Sequence, residues 1–445
     1  MKINTLFQQF RQAVYQMLPK RADATLDMID ALTVAGHVAS PVALSEEVPF
    51  RRKFSAVYDV LREGRLESSD LHRVLYVQQP EECEHSAGYE VYGLDATPDE
   101  RPEAETLPDR GLLKAQKNAP VRVGQKFSWL VRLVSPGTSW VAPWDVRRIK
   151  TASNDSQTAA AQVQELDEQS ARPKVVVTDS LYANQGYLAV FLVVKTVIAL
   201  VRLRRNLNLY ENPAPKPGGS RGAPRKHGPV FKMAHPSRSA DRTTAFQLGR
   251  QTVQLNAWHG LHFRALPTLV GLALRVEFLQ PDGAPRYQRP LWLFWTGPES
   301  VALEAICRMY LWRFAIEHAF RFMKQHLGLN AHCLTDNDRI QRWMWQCALA
   351  YYQLLLMAAD VEDWCPAWYP RQTAAPQPWL TPGQVQRGAG RFLVKLGSPA
   401  KPPRPAGKGP GRDKGYQPAP RKRYPVVRKR PKTAQPVGKT AVSTA

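Results

Sequence analysis

Apolar residues recur at three- and four-residue steps through the first 85 residues, switch to alternating or continuous runs from Tyr89, and return to the helical step after Ser300. In the first region Leu6, Phe10, Val14, Met17 and Leu18 form one stripe and Ala22, Leu26, Ile29 and Leu32 another. Val57, Val60 and Leu61 mark a third segment, within 54–61. From Tyr89 a strand to Leu94 delivers Asp95 at its end, followed by the turn-rich Ala-Thr-Pro-Asp-Glu-Arg-Pro. Strands over 126–133 and 138–149 follow, then a polar helix over 154–169 with Ser153 or Asn154 as its cap. Lys174–Thr178 is a short continuous apolar strand of the buried kind and ends at Asp179. A helix over 185–195 and a strand over 197–203 complete this part.

Residues 206–240 are rich in proline, glycine and basic residues and read as unpacked, whereas 244–289 alternate weakly and read as a β-rich insertion. Leu291–Thr296 is another buried strand. A helix over 338–359 is rich in tryptophan and tyrosine, and Thr381-Pro382 opens a last helix as cap and first-turn proline. The pattern predicts an α/β fold: a mixed sheet flanked by helices, with a β-rich insertion. The expected divisions are an N-terminal helical domain (1–85), a core in two parts (86–205 and 290–365) around a linker and insertion (206–289), a helical segment (366–400) and a disordered basic tail (401–445).

Charge narrows the function. The chain carries 61 Lys and Arg against 38 Asp and Glu, net +23, which points to a polyanionic partner, nucleic acid before membrane. Thirteen of the basic residues, against the single acid Asp413, fall in 401–445. Lys20, Arg21, Arg51, Arg52, Lys53 and Arg62 make the N-terminal helices either a DNA-binding domain or a plain scaffold; no helix-turn-helix is evident. Five separated cysteines (Cys83, Cys307, Cys333, Cys347, Cys365), with no C-x-x-C pair, argue for reduced thiols and against zinc. The longest apolar run, Tyr187–Leu203, is broken by Lys195 and Arg202, and no signal peptide opens the chain, so a cytoplasmic location is expected.

The stretch from Tyr310 to Lys324 reads as one uninterrupted amphipathic helix. At about 100° per residue, Tyr310, Arg313, Glu317 and Lys324 share an arc of roughly 60°, opposite Leu311, Trp312, Ala315, Ile316, Ala319, Phe322 and Met323. This polar face is either a solvated surface with an i,i+4 ion pair, or a carboxylate among phosphate-holding cations. The second reading needs further carboxylates. Asp95 and Asp179 stand at strand ends, where sites form in open α/β sheets. Three carboxylates suit a hard divalent ion at a phosphodiester. Asp99, Glu103, Glu105, Asp109 and Asp145 compete for the same role.

The order strand-Asp95, strand-Asp179, β insertion, then Tyr310-x2-Arg313-x3-Glu317-x6-Lys324 resembles the DDE transposases of bacterial insertion sequences, in the branch with a Tyr-Arg-Glu-Lys signature. The likeness extends to Gly93-Leu-Asp-Ala-Thr-Pro98, Leu107-Pro-Asp-Arg110, Pro224-Arg-Lys-His-Gly228, Gly407-Lys-Gly-Pro-Gly-Arg412 and Arg423-Tyr-Pro-Val-Val-Arg428. It implies an RNase H-like core, two Mg2+ (or Mn2+) ions held by Asp95, Asp179 and Glu317, and cut-and-paste strand transfer by a homodimer on DNA. It also implies phosphate contacts from Tyr310, Arg313 and Lys324, DNA contacts from the linker residues Arg225 and Lys226, and a base-stacking role for Trp258. Two other readings compete: a transposase-derived DNA-binding protein without catalysis, and an RNase H-like nuclease that cuts without joining.

Overall fold

The structure, a computed structural model, describes residues 5–79, 86–113, 120–134, 138–215, 222–364, 368, 379–405 and 411–428. Cys83 and Cys365 lie outside the described residues; Cys307, Cys333 and Cys347 are free thiols.

The N-terminal stripes become α1 (Thr5–Met17) and α2 (Ala22–Val34), and α3 (Ser55–Glu63) follows a 3₁₀ turn over Pro41–Glu46. A fourth helix, α4 (Ser68–Val77), was not expected; its polar first turn masks the apolar Leu71 and Leu75, which are buried. The later helices α9 (Asn337–Met357) and α10 (Pro382–Leu396) pack against α2, so helices from early and late in the chain share one layer. Thr381 caps α10 with Gln384 answering from the third position, as the Thr-Pro signal predicted.

Beyond this layer the described strands form one 12-stranded sheet. Its core is formed by β1 (Glu90–Glu100), β3 (Arg122–Leu133), β4 (Val141–Ile149), β5 (Lys174–Thr178) and β6 (Val197–Leu203), in the order β4-β3-β1-β5-β6. β3 runs antiparallel to both β4 and β1, while β1, β5 and β6 run parallel to one another. This is an RNase H-like arrangement. The short β2 (Gly111–Leu113) extends the β3 edge. Helix α5 (Asp155–Asp167), capped by Asn154, connects β4 to β5. The helix expected over 185–195 shrinks to α6 (Gln185–Leu188) and a 3₁₀ turn over Ala189–Leu192.

The insertion continues the sheet. β12 (Leu291–Trp295) pairs antiparallel with β6, and β11 (Leu266–Leu279) and β10 (Gln251–Phe263) add outward from it. β9 (Arg242–Leu248) and β7 (Asn208–Glu211) share the far edge of β10, and β7 carries β8 (Val230–Lys232). The stretch 206–240 was expected not to pack, yet Leu209, Phe231 and Met233 are buried within it. Apolar residues spaced between prolines can still fill a core when each lands on a two-residue strand period.

Two other expectations change. β1 runs through Asp95 to Glu100, so the turn-rich reading of Ala96–Glu100 does not hold. Past Leu94 the strand loses β5 but keeps β3, and proline is compatible with a strand paired on one side. The tail is also held down in part. Tyr424 N–H donates to Glu105 O (2.8 Å) and Val427 N–H to Arg110 O (2.7 Å), while Arg423 pairs with Glu105 at 3.1 Å. No described helix is long and apolar enough to cross a membrane.

Candidate active site

The site begins with one row of the sheet. β1 and β5 pair in parallel up to Leu94 and Thr178, and β5 and β6 up to Thr178 and Val201. The next position on the three strands is Asp95, Asp179 and Arg202. Neighbouring strands lie roughly 4.8 Å apart, so two carboxylates and a guanidinium stem from adjacent backbones. The row marks where β1 parts from β5 and opens a crevice at the strands' carboxyl ends. Sequence reasoning registered Arg202 only as a break in an apolar run; its equal distance from the strand start to that of Asp179 is a signal visible once the strands are aligned.

The expected single helix is two. α7 (Leu303–Trp312) ends at Arg313 and α8 (Ala315–Gln325) begins after Phe314. Across the join the backbone bonds run to the third residue: Arg313 N–H to Tyr310 O at 3.1 Å and Glu317 N–H to Phe314 O at 3.1 Å. This 3₁₀ tightening keeps the chain in helical φ/ψ but changes its winding. The apolar face survives, with Trp312, Ala315, Ile316, Ala319, Phe322 and Met323 buried. Phe314 faces out, 54% exposed, beside His318.

Gly93 lets α8 come close. A Cβ there would overlap the Cδ1 of Ile316, the residue before Glu317. The acid on α8 is thereby brought toward the acid two positions along β1. Arg313 closes the gap: its Nη1 donates to Asp95 Oδ2 at 2.9 Å and its Nη2 to Glu317 Oε1 at 3.3 Å. Asp179 Oδ1 accepts from the Leu181 N–H at 2.8 Å, and Asp95 Oδ1 from Ala96 N–H at 2.8 Å.

Burial pushes the Asp95 carboxyl above its ordinary value and Asp179 adds to the rise, against the pull of Arg313 and the Ala96 N–H. Burial also lifts the Tyr310 phenol, with Arg313 and Arg202 drawing it back. A buried carboxylate whose ionisation a neighbouring acid opposes and a guanidinium supports is the electrostatic setting in which a cation is favoured.

Lys324 lies two turns along α8, where burial lowers its ammonium and Glu100 and Asp99 oppose that. Arg225 and Lys226 are exposed on the linker, apart from this row. Trp258 offers no free face: it is 4% exposed, packed on Phe231 and Trp292, with its indole N–H donating to Arg238 O. An apolar ring on the inward side of β10 fills the core, which corrects the base-stacking expectation. Four of the five competing acids have partners of their own. Asp109 takes Arg148 and Thr151, Asp145 takes His72 and Arg147, Asp99 lies beside His332, and Glu105 pairs with the tail.

Among the described residues, no three histidine, cysteine or acidic side chains converge tightly enough to hold an ion as they stand. The donor chemistry nevertheless fits a hard divalent cation. Asp95, Asp179 and Glu317 offer only carboxylate oxygens, and the Arg313 guanidinium already stands as a cation between two of them.

No curated protein matches the chain. The family profile of the DDE superfamily endonucleases matches residues 13–264, more than half of the chain, taking in Asp95 and Asp179 and stopping short of α7 and α8. Enzymes of this family cut DNA with the help of divalent metal ions. A sheet of RNase H-like order, two aspartates at its crevice and that match together place this chain among the DDE superfamily endonucleases, a transposase-type family.

Proposed function

We propose that the protein is a transposase that binds the ends of its own mobile element, cuts them and joins them to new DNA. The observation that carries this reading is the placement of Asp95 and Asp179 one position past the last pair of the adjacent parallel strands β1 and β5, with Arg313 linking Asp95 to Glu317 on α8. In this reading Asp95, Asp179 and Glu317 hold two Mg2+ ions, with Mn2+ as a substitute. Bound there, the ions supply activation of a water or 3′-hydroxyl and stabilisation of the leaving oxygen.

The chain's own residues do the rest. Arg313 bridges Asp95 and Glu317 and offsets their repulsion, and its guanidinium would take a phosphate oxygen when the carboxylates engage elsewhere. Tyr310 and Lys324 flank it on the same helical path and would hold backbone phosphates on either side of the scissile bond. Half-burial of Lys324 sharpens its field by removing water from one side. Exposed Arg225 and Lys226, and the basic tail, would hold DNA further out. Two copies of the chain, one for each element end, complete the working complex in this reading.

The test is an in vitro reaction on a plasmid that carries the gene with its native flanking DNA. Excised element and joined products in Mg2+ are expected. Cut DNA with no joined product would instead favour the nuclease reading.

A further inference from the structure

Beside the catalytic row, two hollows run into one another on the insertion side of the sheet. The first, of about 610 Å³, is lined by Ser180, Arg202, Arg204, Arg205, Arg289 and Trp292 among others. The second, of about 670 Å³, shares Arg202, Arg289 and Pro290 with it and adds Arg286 and Tyr310. Ser180 follows Asp179 in the chain and Tyr310 belongs to the α7–α8 face, so the groove opens directly onto the candidate active site. Its guanidiniums come from three places: the end of β6 (Arg202), the turn that follows it (Arg204, Arg205) and the segment before β12 (Arg286, Arg289).

All five arginines are exposed and none forms a salt bridge among the described residues. Elsewhere the chain pairs its arginines freely, as Arg51 with Asp27 and Arg147 with Glu165. The single acid on either lining is Glu277, and Arg275 holds it at 2.6 Å. A lone exposed arginine is ordinary surface. Five without counter-charges, converging on one groove from separate elements, build a positive field that a bound polyanion would relieve. Guanidinium forks match phosphate oxygens better than any other side chain does.

We infer that this groove is a phosphate track that holds the sugar-phosphate backbone of the DNA leading away from the scissile bond along the insertion. The inference rests on the DNA-processing function proposed above. It gives a role to residues outside the carboxylates and outside the Tyr310–Lys324 face. The insertion also gains a purpose, since β12 and the segment before it build one wall of the track.

The experiment measures binding of the full-length protein to a fluorescein-labelled DNA duplex of arbitrary sequence, by anisotropy, across a series of NaCl concentrations. Arg205→Ala with Arg289→Ala removes one guanidinium from each wall. The comparison pair, Arg250→Ala with Arg264→Ala, removes two exposed arginines from the turns at either end of β10. Each phosphate contact contributes about 0.9 to the slope of log K against log salt, so the groove pair should flatten it by about 1.8 and the comparison pair leave it unchanged. Arg205→Lys with Arg289→Lys should restore most of the slope, because charge is retained. Thermal melts accompany each variant, and Arg205→Gln with Arg289→Gln replaces the alanine pair if that pair melts early. An unaltered slope in a normally folded groove pair would overturn the track, as would an equal loss in the comparison pair. Wild-type protein that binds no DNA would overturn the proposed function, and the track with it.

Discussion

Asp145 lies on β4 with 1% of its surface exposed, and three side chains converge on it. His72 Nε2 is 3.0 Å from one oxygen; Arg147 and Gln162 donate to the other at 2.6 and 2.8 Å, and Arg147 also grips Glu165 at 2.8 Å. Burial alone would raise the carboxyl, but these partners outweigh it and hold Asp145 below the ordinary carboxylate range. Asp145→Ala leaves buried donors without an acceptor and should cost about 3–5 kcal/mol in denaturant melts. The sign with pH follows from the depressed folded value. The stabilisation is fully present above the unfolded value, near pH 3.9, and is lost as pH falls through the lower folded one. The gap between wild type and Asp145→Ala should therefore be constant near neutrality and narrow below about pH 4. A gap that widened in acid would contradict this account of the network. In the sequence Asp145 and Asp95 looked equivalent, both acids in apolar strands. Their difference lies in partners 73 and 218 residues away, His72 and Arg313, which spacing along one strand does not disclose.

The elements that were legible in sequence are those whose signals are local. Lys174–Thr178, β-branched from Val175 on, became β5 with the expected bounds, and Thr381 with Gln384 made the cap of α10. β1 and the α7–α8 join were not legible, because each depends on a neighbour. β1 extends past Leu94 only because β3 stays paired with it, and the join tightens where Arg313 reaches across to Asp95. Gly93 connects the two. Gly93→Ala should cost about 1–3 kcal/mol by forcing α8 away from β1, as overpacked cores do. Ile316→Val removes the Cδ1 that the new methyl would meet and should by itself cost about 0.5–1.5 kcal/mol. Combined, the two should cost clearly less than their sum, since one relieves the other. Additive costs in thermal or urea melts would mean that the helix does not depend on this contact for its approach.

At the scale of the molecule, composition pointed to the partner and periodicity to the layers, while the assembly of distant parts stayed hidden. The charge excess, the mixed sheet and the inserted strands were all readable. The continuity of that sheet from β2 to β8 was not, because pairing between strands far apart in sequence leaves no mark on local pattern. Nor was the docking of the tail, where Tyr424 and Val427 join backbone hydrogen bonds with Glu105 and Arg110. Leu107-Pro-Asp-Arg110 and Arg423-Tyr-Pro-Val-Val-Arg428, separate in the chain, form one contact in the fold. The candidate site is assembled in the same way, from β1, β5 and α8.

Its central claim is that Asp95, Asp179 and Glu317 act together on DNA. The most direct measurement is cleavage of the native flanking DNA in Mg2+ by wild type and by Asp95→Asn, Asp179→Asn and Glu317→Gln, each checked for DNA binding and thermal melting. Every variant should fold, bind DNA as wild type does and cut at background level, because each loses an anionic oxygen while keeping its shape. Wild-type cleavage by any one of them would remove that residue from the site and break the three-carboxylate account.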